Sequence, residues 1–128
     1  MEAFPEEVKR FLDANVETVE QLEILRILAE DPGREWPSGE LAREVQAQPP
    51  ALLTHLAALH GRGLLALETR GTDVICRYGP KTPELEAGLS RLLQVYRERP
   101  VTMIKLVYAR AKDVLRTFAE AFRIRKEG

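Results

Sequence analysis

Between Pro49 and Leu65 the chain reads PPALLTHLAALHGRGLL, and this run constrains the fold more than any other stretch. Two prolines fit the first turn of a helix, where a missing N–H costs nothing, and Gly61 marks its end. At about 100° per residue, Leu52, Leu53, Leu56 and Leu59 fall within an arc of about 120°, which predicts an inward face. Ala51, Thr54, His55, Ala58 and Arg62 then turn outward. A helix this short depends on its apolar face being packed, so the surrounding segments must supply a core.

Upstream, FPEEVKRFLDAN puts Pro5, Glu6 and Glu7 in a first turn and Asn15 near a helix end. Thr18 and Gln21 have capping-box spacing ahead of EQLEILRILAE, whose Leu22, Leu25 and Leu28 form a core stripe that Asp31-Pro32-Gly33 stops. Extended residues around Trp36 precede SGELAREV, read as a short helix with Ser38 as N-cap and Leu41, Ala42 and Val45 facing inward. QAQP turns the chain into the Pro49 helix. After it, LLALETRGTDVICRY reads as two strands around a Gly71-Thr72-Asp73 turn, with Val74, Cys76 and Tyr78 alternating with Ile75 and Arg77.

Beyond Gly79-Pro80 the pattern is helical. Thr82 caps, Pro83 takes the first position, and Leu85, Leu89, Leu92, Leu93 and Tyr96 form a stripe. That stripe fits a dimerising helix or an ordinary intramolecular core. Pro100 ends the helix, and VTMIKLVYA fits neither period cleanly: its β-branched residues favour a strand, Pro100 favours a helix, and the helix is preferred. Asp113 is expected to cap a last helix, VLRTFAEAF, with Leu115, Phe118 and Phe122 on one side and the basic RIRKEG after it. The organisation expected is residues 1–79 as N-terminal helices plus the motif, and residues 80–128 as a C-terminal helical extension and candidate dimerisation segment.

With 128 residues, 45% hydrophobic and 30% charged, the chain has enough material for one compact core. Cys76 is the sole cysteine, so no internal disulfide forms, and no Cys/His cluster has metal-ligand spacing. The acidic start lacks a secretory profile and no apolar run approaches the roughly 18 residues of a membrane span, so a cytoplasmic location is expected. Charge is uneven: −6 over residues 1–36, 0 over 37–79 and +5 over 80–128. Such a dipole fits an acidic helix packing on a basic one, or a basic tail (Arg110, Lys112, Arg116, Arg123, Arg125, Lys126) meeting a polyanion.

Other constellations point to structure rather than chemistry. His55 and His60 are five residues apart, about 140° around a helix, a poor geometry for one metal. Cys76 beside Arg77 could be a redox thiolate, but strand neighbours face opposite ways, and a lone cysteine is usually a small buried hydrophobe. Trp36 fits a partner anchor or, more often, a core seal with its N–H bonded. Gly61-Arg62-Gly63 lacks the Lys-Ser/Thr of a phosphate loop, and no carboxylate pair or nucleophile context suggests an enzyme. No cofactor is expected.

From Thr18 to Tyr78 the chain resembles the winged helix-turn-helix domain of small bacterial transcriptional regulators, broadly the MarR, ArsR and PadR kind. SGELAREV matches the first motif helix, PPALLTHLAALHGRGLL the second, and ALETRGTDVICRYG the wing. The C-terminal part is similar to small uncharacterised bacterial winged-helix proteins ending in a basic helix. The resemblance implies a mainly α fold with a small β-hairpin wing, a winged helix-turn-helix plus C-terminal helices. It implies duplex DNA as partner, with Ala51, Thr54, His55, Ala58 and Arg62 at the groove, Arg70 on the wing, and a homodimer closed by the Leu85–Tyr96 stripe. The motif's arginines are matched by as many carboxylates. A winged-helix module that binds a protein partner rather than DNA is therefore the alternative.

Overall fold

The computed structural model describes residues 4–127, with side chains through Ala121. Its elements run α1 (Glu6–Asn15), α2 (Val19–Glu30), β1 (Trp36–Pro37), α3 (Ser38–Val45), α4 (Pro49–Gly61), β2 (Leu65–Arg70), β3 (Asp73–Tyr78), α5 (Pro83–Glu98) and α6 (Pro100–Glu127). This is the mainly helical, winged helix-turn-helix arrangement that the order of signals predicts. Phe122, Arg123, Arg125 and Lys126 lie outside the described side chains.

Local chemistry sets the helix ends. Thr18 Oγ1 accepts the Gln21 N–H at 3.1 Å, and Gln21 Oε1 accepts the Glu17 N–H at 2.9 Å, so the return bond falls one residue earlier than in a standard capping box. Ser38 is the first residue of α3 and makes no capping bond, contrary to expectation. The reason is β1: Trp36 pairs with Cys76 and Pro37 with Ile75, so the helix must begin as soon as the strand is released. At the end of α3, Gln46 adopts the left-handed conformation and the Ala47 N–H reaches Ala42 O at 2.9 Å, which aims the chain at α4.

Gly63 closes α4. Its φ of 78° lets its own N–H reach His60 O at 2.9 Å and the Leu64 N–H reach Leu59 O at 3.1 Å. The chain then enters a three-stranded antiparallel sheet of order β1-β3-β2. Register from Leu65↔Tyr78 to Arg70↔Asp73 leaves Gly71 and Thr72 as the hairpin loop, the wing.

A single core runs from Val8 and Leu12 of α1 through Leu22, Leu25 and Leu28 of α2 to Met103 and Val107 of α6, on both sides of the Gly79–Pro80 boundary. Leu89, Leu92, Leu93 and Tyr96 are buried in that core and Leu85 is half-buried. The α5 stripe expected to dimerise is therefore intramolecular. α1 and α6 both pack with α5, and Gly88 admits the Phe11 ring so closely that a β-carbon there would sit 2.4 Å from it. The ambiguous segment Val101–Ala109 is helical. Asp113 caps nothing: α6 passes through it as one helix of 28 residues, because Ala109 to Lys112 are all good helix formers.

Gly88 in mid-helix gives up about 1 kcal/mol of helix propensity relative to alanine, so its value lies in the space it leaves. Gly88→Ala is expected to destabilise the fold by about 1–2 kcal/mol through overpacking, and to be neutral or stabilising in a Phe11→Ala background. Urea melts of the four proteins in that cycle check this, and equal effects in both backgrounds would contradict it.

Candidate nucleic-acid interface

Leu52, Leu56 and Leu59 are fully buried, and their i, i+4, i+7 spacing defines the inward face of α4. Leu53 is 42% exposed, which corrects the four-leucine anchor predicted from spacing. With Leu53 removed from the core, the outward side re-centres on Pro50, Thr54, Ala57 and Gly61, all exposed. Ala51 is exposed beside them and Ala58 half-buried. Thr54 Oγ1 donates to Pro50 O at 3.2 Å, leaving its lone pairs for another donor. Ala57 and Leu53 are surface positions that the leucine count hid.

The expected cationic readers are turned to protein partners. Gln21 is only 2% exposed; its Oε1 holds the Glu17 N–H, so its amide nitrogen faces His55 and donates to Nδ1 at 3.2 Å. His55 is thus a strut between α2 and α4, not an outward group. Arg62 donates to Asn15 O at 3.4 Å and pairs with Glu17, tying the end of α4 to the α1–α2 corner. Arg70 on the wing pairs with Glu68 at 2.8 Å and with Glu35, and these two carboxylates raise its pKa. His55, Arg62 and Arg70, expected at the groove and the wing, thus each have a partner within the chain.

Arg110, expected in a basic patch, instead donates to Leu12 O at 3.2 Å and to Val16 O, and faces Asp13 at 3.5 Å. It sits at the C-terminal, electronegative end of α1. Arg43 on α3 and Arg77 on β3 are exposed and make no ion pair among the described residues.

Cys76 is fully buried, and burial pushes its thiol up to about 12, so it carries no thiolate at neutral pH. Trp36 seals the core as read, but its Nε1 has no hydrogen-bond partner. Arg34 covers its ring at 3.6 Å while paired with Glu40 at 2.5 Å. Among the described residues no cluster of His, Cys, Asp or Glu is placed to hold a metal, and no helix is long and apolar enough to cross a membrane.

Residues 18–66, from the Thr18 cap through α4 into β2, match the family model described as bacterial regulatory protein, arsR family. The match covers the helix-turn-helix segment, less than half of the chain. Of the kinds that the motif order suggested, the match narrows the resemblance to ArsR. No curated protein matches the chain. Among solved structures, the transcriptional regulator HlyU from Vibrio vulnificus CMCP6 is 26% identical with a TM-score of 0.52, over 68% of this chain and 85% of that one. The homodimeric winged helix-turn-helix DNA-binding domain (fragment 1–100) of Mb0332 from Mycobacterium bovis is 17% identical with a TM-score of 0.55, over 77% and 93%. MepR of S. aureus, in complex with DNA, is 15% identical with a TM-score of 0.57, over 88% and 90%. The last two likenesses concern the fold alone, and they agree with a winged helix-turn-helix.

The carboxyls anchoring this domain make its stability depend on acid. Glu17 is held below the usual carboxylate range first by its hydrogen bond to Arg62, and Glu23 first by its hydrogen bond to Arg26. A carboxyl lowered on folding contributes stability above its unfolded pKa of about 4.3 and loses it as pH falls through the folded value. Arg62→Ala is expected to cost less than about 1 kcal/mol at neutral pH, since the pair is exposed, and to flatten the acid-side loss. Thermal melts from neutral pH down through the carboxylate range check this; superimposable profiles would contradict it.

Proposed function

We propose that the chain is a transcriptional regulator that binds duplex DNA as a homodimer, with α4 in the major groove and the β2–β3 wing beside the backbone. The observation that carries this reading is the ArsR-type match over the elements that hold α4, joined to the character of the face they leave outward. Small side chains let a helix axis approach base edges, and Ala51, Ala57, Ala58 and Thr54 offer methyl groups to thymine, with Thr54 also able to hydrogen-bond. HlyU being a transcriptional regulator, MepR having been captured on DNA and Mb0332 being homodimeric all support it.

Phosphate contacts fall to Arg43 and Arg77, the arginines of the motif that no carboxylate claims. Two such cations per copy give weak binding, and a second copy doubles them on one duplex. The uncharged face with Leu53 at its rim also fits a protein partner, and DNA retention separates the two readings.

Anisotropy titrations against the DNA upstream of the protein's own coding region, at several salt concentrations, test this. Arg43→Ala and Arg77→Ala are each expected to weaken binding across sequences and to lower the salt slope by about one for every phosphate no longer neutralised. Glu35→Gln with Glu68→Gln frees Arg70 and should tighten binding and steepen the slope. No retention on any duplex at low salt would favour the protein-binding module instead.

A further inference from the structure

α4 carries both histidines of the chain, and its surroundings hold their rings in opposite tautomers. A backbone N–H can only donate, so the bond from Glu17 fixes Oε1 of the buried Gln21 and leaves the amide nitrogen as donor to His55 Nδ1. Neutral His55 therefore carries its proton on Nε2. His60 is the reverse: its Nδ1 lies 3.2 Å from Leu65 O, a group that only accepts, so its proton stays on Nδ1.

The strut to α2 occupies one edge of the His55 ring. Nε2, on the opposite edge, has no partner in the chain, and among the described residues only Trp36 Nε1 is both buried and unpartnered. The His55 Nε2–H thus meets solvent as an unused donor. Ala51, His55, Ala58 and Arg62 follow at i, i+4, i+7 and i+11, a row along the rim of the α4 face on the side of α2. Ala51 and Ala58, a turn to either side, are too short to cover the ring edge.

We propose that Gln21 is a positioning residue and His55 the group it positions, a neutral N–H donor aimed at a phosphate oxygen of duplex DNA. The inference rests on the regulator reading, and it adds a contact of a different kind from those of Arg43 and Arg77. A phosphate is the acceptor because the row lies at the flank of α4, away from the Pro50, Thr54 and Ala57 centre of the outward face, where a groove-bound helix meets the backbone. The held tautomer has no lone pair on Nε2, so the edge serves acceptors alone. Fixing the ring from behind removes its rotamer freedom before the duplex arrives. In a motif with few free cations, such a donor adds affinity without adding charge.

Nitrogen NMR of the imidazoles, with anisotropy titrations on duplexes of several sequences, tests this. In mildly alkaline buffer the wild type is expected to show His55 protonated on Nε2 and His60 on Nδ1. His55→Asn keeps an acceptor where Nδ1 was, and so keeps the strut, but lacks the far donor. It is expected to melt like the wild type and to bind every duplex about tenfold more weakly, the worth of one hydrogen bond to a charged group. Its salt slope is expected to be unchanged, because no phosphate loses a cation. Gln21→Met is expected to mix the His55 tautomers and weaken binding, and His55→Asn in that background to cost less than in the wild type. If Gln21→Met unfolds, His55→Asn carries the test. A His55 protonated on Nδ1, an unchanged affinity in His55→Asn, a loss confined to one base pair or a shallower slope would each overturn the assignment. A wild type with the expected tautomers that binds no duplex would instead sink the regulator reading, and the phosphate contact with it, leaving Gln21 as the group that sets the tautomer.

Discussion

Leu52, Leu56 and Leu59 lose all solvent exposure in the core, and burying each contributes about 1.5–3 kcal/mol. Rotating α4 about its axis would forfeit that contribution, so its outward side is fixed by packing before any polar contact is made. The polar struts then hold the helix at its flank. Gln21 joins His55 across the α2–α4 contact, and Arg62 joins Glu17 and Asn15 at the end of α4. Because both of Gln21's polar ends are satisfied, a buried amide here stabilises one arrangement instead of destabilising the core.

The same economy of charge explains why so little positive potential is left at the surface of the motif. Arg34, Arg62 and Arg70 each have a carboxylate partner, and these partners sit on α3, at the α1–α2 corner, just before β1 and on the wing itself. The acidic N-terminal segment also meets the basic C-terminal one within the chain, through Arg91 with Glu7 at 3.8 Å and Arg110 with Asp13. Among the described residues these two pairs join the acidic and basic ends of the chain. In the proposed regulator, sequence-independent attraction to DNA would rest on a few unclaimed cations and on the number of copies assembled.

Features governed by neighbours within a few residues were legible. The Thr18 and Thr82 caps, the end of α4, the wing hairpin and the core stripes of α2 and α4 all follow from short-range hydrogen bonding or from helical and strand periodicity. Leu53 was misplaced because periodicity reports that a residue is apolar, and burial depends on whether a neighbouring element reaches it. The α5 stripe was ambiguous for the same reason: α1 covers it only because Gly88 lets Phe11 approach. Asp113 misled in another way, since a residue that favours caps is also tolerated on the solvent side of a helix whose neighbours propagate it.

By itself the sequence determined the order of elements as far as α5, the Thr18 and Thr82 caps and the core stripe of α2, since those depend on rotamers, caps and glycines acting over one turn. Only the tertiary structure decided which outward groups are free. Gln21 and His55, Glu17 and Arg62, Glu35 and Arg70 are separated by 34, 45 and 35 positions along the chain. Pairing at that distance depends on how elements pack, and no local pattern encodes it.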